Sequence, residues 1–123
     1  MYKRQGEEIT VEPFLTYAGM RRVTISSARP LLFVDVYTAE NARVLEFPEL
    51  RQDILQFHTL KSNVPYNEKD RWPSPQYLKV YTFSLEQAGS YKVVVRAEFS
   101  LDKDDPTRVS RVYSEPIWVQ ITG

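Results

Sequence analysis

The sequence contains no cysteine and a single histidine. The first absence excludes disulfides, thiolate catalysis and Cys-based metal sites; the second removes multi-His metal centres and most acid–base dyads. Glycine is scarce as well. Gly6, Gly19, Gly89 and Gly123 each stand alone, so no glycine-rich loop cradles a phosphate. No apolar run approaches the roughly 18 to 20 residues that a membrane-spanning helix needs, and membrane insertion is not expected. Sixteen Lys plus Arg balance sixteen Asp plus Glu, so no global field recruits nucleic acid. No cofactor is expected either. What is present suits one folded domain: 123 residues, 42% hydrophobic and 13% aromatic, well clear of the composition that keeps a chain disordered.

The side-chain pattern has a period of two, which points successive residues to opposite faces of a sheet. Glu8 to Leu15 is a first strand, with Pro13 marking an edge. Met20 to Ser27 follows, then Leu31 to Thr38, with Leu32, Val34 and Val36 on one face and Phe33, Asp35 and Tyr37 on the other. Arg43 to Phe47 is a short return. Residues 49–60 admit a short helix or a loop feeding a strand from Ile54 to Lys61, and the second reading is preferred. Residues 62–76 carry three prolines and no periodicity, and so form a long loop. Tyr77 to Ser84 and Ser90 to Leu101 are strands, the latter with Tyr91, Val93, Val95, Ala97 and Phe99 on its core face. Arg108 to Tyr113 and Pro116 to Thr122 form one last strand, interrupted by an edge or bulge near Pro116. About seven or eight strands with no βαβ alternation predict an all-β, immunoglobulin-like or fibronectin-III-like antiparallel sandwich over residues 6–123. Gly89 and Tyr91 at the start of a core strand look like a tyrosine corner, whose hydroxyl is expected to bond the backbone near Leu85.

Candidate chemistry is sparse. His58 is the one imidazole, and with no Gly-x-Ser-x-Gly elbow it reads as a strand or surface residue. Asp102, Asp104 and Asp105 form the densest acidic run and could hold calcium, but they lack the glycine and distal Glu of a dedicated loop, which favours a solvated turn. Tyr66, Trp72 and Tyr77 could form an aromatic platform for a sugar or peptide, against the simpler reading of a lid over the core. Two strands are apolar on both faces. Phe33, Tyr37, Tyr81 and Phe83 are therefore expected to form an exposed docking surface that a partner covers.

Two stretches carry a family resemblance. Tyr91-Lys-Val-Val-Val-Arg96-Ala-Glu with Arg111-Val-Tyr113-Ser-Glu-Pro116-Ile-Trp118-Val119, and Pro30-Leu-Leu-Phe-Val34-Asp-Val-Tyr before them, are similar to the C-terminal sandwich of bacterial metal-dependent hydrolases of the polymerase-and-histidinol-phosphatase (PHP) type. The resemblance implies a non-catalytic accessory domain that packs on or positions a larger hydrolase, whose metal ligands lie upstream. The partner is then an upstream domain of the same polypeptide or another protein. A glycan- or protein-binding module and a small sandwich protease inhibitor are the alternatives. Residues 1–5 support a truncated reading: Val-Tyr-Lys-Arg-Gln back-translates to a sequence resembling the mosaic-end adapter of transposase-based libraries, with GTG also serving as a bacterial start. They are expected to be a non-native leader adding nothing to the core, the alternative being a basic tail. An extracytoplasmic location is favoured if the natural N-terminus is missing.

Overall fold

The structure is a computed structural model that describes residues 1–48, 52–67, 80–102 and 104–123. Among these residues there is no helix and there are ten strands: β1 (Tyr2–Arg4), β2 (Ile9–Val11), β3 (Val23–Arg29), β4 (Leu32–Thr38), β5 (Arg43–Phe47), β6 (Gln52–Leu60), β7 (Tyr81–Phe83), β8 (Gly89–Phe99), β9 (Ser110–Tyr113) and β10 (Ile117–Thr122). The fold is all-β and sandwich-like. The stretch read as helix or strand is β6, because inward Gln56, His58 and Leu60 alternate with outward Leu55, Phe57 and Thr59.

The main sheet runs β1-β10-β8-β4-β5, with β9 pairing the other end of β8. It is mixed rather than antiparallel throughout, since β1 lies parallel to β10 while the other pairs are antiparallel. Residues 1–5, expected as a leader, supply that edge strand; Tyr2 and Arg4 point to solvent. Two short ribbons, β2-β7 and β3-β6, form the opposing layer. The β2-β7 ribbon sets Ile9, Tyr81 and Phe83 against Val34, Val36 and Val93, while the other sets Ile25 and Leu60 against Leu32 and Ala97. Each buried Val, Leu, Ile or Phe among them contributes roughly 1.5 to 3 kcal/mol through area removed from water.

The last strand is broken as its sequence suggested. Between the pairs Arg96↔Tyr113 and Val93↔Ile117, β8 advances three residues while the edge advances four. One extra residue marks a β-bulge at 114–116. Ser114 holds it in place, its N–H donating to Val95 O at 2.8 Å and its Oγ accepting from Val95 N–H at 2.9 Å. The strand total exceeds the expected seven or eight because this one strand counts as two and β1 was set aside as a leader.

Candidate functional site

The expected docking surface is corrected by burial. Phe33, Tyr81 and Phe83 are all buried within the chain, and Tyr37 is half-buried. In β7 the aromatic set faces inward: Phe47 of β5 stacks on Tyr81 and Phe83 with ring centroids 6.2 and 5.5 Å away. Tyr81 also donates its hydroxyl to Leu32 O. Thr82 is the β7 side chain that faces outward, and Val80 just before the strand is exposed as well.

Phe33 is buried on the outer face of β4 for a different reason, because a charged network roofs it. The Arg96 guanidinium lies 4.5 Å from the Phe33 ring centroid, an arrangement in which the ring quadrupole favours the cation. Around Arg96 stand three carboxylates, Asp35 at 3.6 Å, Glu46 at 3.4 Å and Glu98 at 3.2 Å. Arg43 closes one side on Glu46 at 2.9 Å, and Arg111 the other on Glu98 at 3.4 Å. Asp35 has 0% exposure, and neither carboxylate oxygen has a hydrogen-bond partner. Burial therefore raises its pKa above the ordinary value, a shift that the Arg96 and Arg43 charges oppose. Tyr37 is raised too, by burial first and the Asp35 charge second.

The tyrosine corner forms. Tyr91 is buried and its hydroxyl donates to Gln87 O at 2.9 Å, two residues beyond the expected Leu85. Gly89 takes φ +147°, a conformation that L side chains rarely adopt, where the chain enters β8.

His58 is fully buried on β6 and sits between two hydroxyls, Ser27 Oγ at 2.8 Å from Nε2 and Tyr66 Oη at 2.7 Å from Nδ1. Ser27 Oγ also donates to Ala28 O at 2.7 Å, and the three side chains tie together β3, β6 and the start of the long loop. Tyr66, one of the three expected platform aromatics, is thereby committed; Trp72 and Tyr77 lie outside the described residues. The cleft beside Ser27, lined by Ser26, Phe33, Glu98 and Phe99 among others, holds about 80 Å³.

In the acidic turn the Asp102 and Asp105 carboxylates are engaged by the turn itself. Asp104 N–H donates to Asp102 Oδ1 at 3.0 Å, Thr107 N–H donates to Asp105 Oδ1 at 3.1 Å, and Arg108 pairs with Asp102 at 3.7 Å. Among the described residues no three His, Asp or Glu side chains gather around a vacant metal position.

Leu55 and Phe57 are exposed on the outward face of β6, and a longer apolar stretch runs along the broken strand. Val112, Tyr113, Ile117 and Trp118 are 47, 55, 50 and 51% exposed, and Val109 stands at their head. All four residues of β9 are exposed. No family model and no curated protein matches the chain. The site rests on its own geometry. The sequence carried its signal in Pro116, which announced an edge or bulge, but alternation alone did not show that the second layer stops short of Val112 and Ile117, leaving core-side residues uncovered.

Proposed function

We propose that this chain is a non-catalytic, immunoglobulin-like accessory domain that docks onto another polypeptide through the broken strand β9–β10. The observation that carries the reading is that Val112, Tyr113, Ile117 and Trp118, large apolar side chains each about half exposed, follow one another along a single broken edge strand. Exposed apolar side chains gathered in one place mark contact surfaces more often than scattered ones do. The tyrosine corner and the bulged last strand support the immunoglobulin-like type. The resemblance to the tail sandwich of PHP-type hydrolases supports an upstream hydrolase domain as the body on which it packs.

The test uses the chain extended ahead of Met1 by a PHP-type hydrolase domain, so that β1 stays in place. In a Trp72→Phe background Trp118 is the one indole, since the sequence has two tryptophans. Docking predicts a blue-shifted Trp118 emission and reduced quenching by iodide in the extended protein. Emission and quenching identical to those of the isolated domain would remove the reading.

A further inference from the structure

The backbone of β9 specifies its partner. Glu98 N–H donates to Leu31 O, so the even residues of β8 bond toward β4 and the odd ones, Ala97 and Phe99, bond toward β9. Those two stand opposite Val112 and Ser110. Arg111 and Tyr113 must then turn their N–H and C=O groups away from the sheet. Past the bulge the parity reverses, and the outward residues of β10 are Trp118, Gln120 and Thr122. These are already taken: Met1 N donates to Trp118 O, Gln120 N–H to Met1 O and Gln5 N–H to Thr122 O. Nothing in the described chain pairs with the outward groups of Arg111 and Tyr113.

From this edge we infer that β9 pairs antiparallel with β9 of a second copy of the chain, about a two-fold axis through Val112. The inference rests on the broken-strand surface proposed above and assigns its β9 half to a second copy, leaving Ile117 and Trp118 to the body proposed there. Four free groups spaced two residues apart are self-complementary. With Val112 opposite the partner's Val112, Arg111 faces the partner's Tyr113, and each such pair exchanges two hydrogen bonds, so all four groups on each copy are satisfied. The side chains agree with that register. Val112 meets its symmetry mate as a close, non-hydrogen-bonded apolar pair. Arg111, half exposed and already paired with Glu98, comes beside the ring of the partner's Tyr113, where a guanidinium is favoured. The formal net charge is zero, so two copies meet without long-range repulsion.

Sedimentation of the intact chain across a concentration series tests this, together with hydrogen exchange of individual amides. The expected result is a concentration-dependent dimer in which the Arg111 and Tyr113 amides become protected. Val112→Lys sets two ammonium groups against each other on the axis and should raise the dissociation constant by about tenfold or more. Because Val112 is half exposed, the variant should keep the parent's melting profile when both are monomeric, which separates lost pairing from lost folding. Tyr113→Phe, which keeps the backbone and the ring, should dimerise like the parent. A monomer at every concentration overturns the inference, and so does a dimer whose Arg111 and Tyr113 amides still exchange freely. A monomer whose Trp118 is nonetheless covered in the extended protein defeats the second-copy partner alone and leaves the docking reading standing.

Discussion

Asp35 carries a carboxylate with no exposure and no hydrogen bond, held only by the Arg96 and Arg43 charges 3.6 and 3.9 Å away. Its folded-state pKa is raised, so between the ordinary value and the folded value the native state keeps a proton that the unfolded chain has released. The contribution of this group to stability is then greatest at low pH and falls as pH rises through that window. Asp35→Asn removes the dependence: relative to the parent, the variant should gain more melting temperature at neutral pH than at mildly acidic pH. Equal differences at both would place the cost elsewhere. Arg96→Met is the opposite case. It removes the central cation and leaves buried Asp35 and Glu98 beside Glu46 with only the half-exposed Arg43 and Arg111 at the margins, and denaturant unfolding should show a loss of about 3 kcal/mol. Tyr91→Phe, which frees only Gln87 O near the surface, should lose about 1 kcal/mol by the same measurement.

Among the elements, β5 was legible to the residue, because Asn41 and Pro48 bracket an unambiguous run from Arg43 to Phe47. The core face of β8 was legible for the same reason, an unbroken alternation of Tyr91, Val93, Val95 and Ala97. The docking face was not. Alternation separates two faces but does not say which one the neighbouring layer covers, and in β7 the aromatic face won because Phe47 supplies rings to stack on. Phe33 was misplaced because its cover is Arg96, a residue that reads as surface in one dimension. Parallel pairing of β1 was equally invisible, since three residues carry no period. Deleting residues 1–5 tests what that strand contributes. It removes several exposed backbone hydrogen bonds, each worth about 0.5 to 1.5 kcal/mol, but also releases about 1 to 2 kcal/mol of backbone entropy per ordered residue. The two nearly cancel, so the unfolding midpoint should move little, while the Gln120 amide loses its protection from exchange.

For the whole molecule, the bulge at 114–116 has a consequence for unwanted assembly. A sheet edge ten residues long with one phase of outward groups is a template on which chains add without end. Here the extra residue puts the outward groups of β9 and β10 out of step, Pro116 has no N–H to offer, and β1 caps the far half. An incoming straight strand finds purchase on a few residues and then loses its register, so growth along the edge closes instead of propagating. Deleting Glu115 together with residues 1–5 would restore a single, uncapped phase from Ser110 to Thr122. That variant should form thioflavin-positive aggregates on incubation where the parent stays clear, making one inserted residue and a capping strand the difference between a soluble domain and a fibre seed.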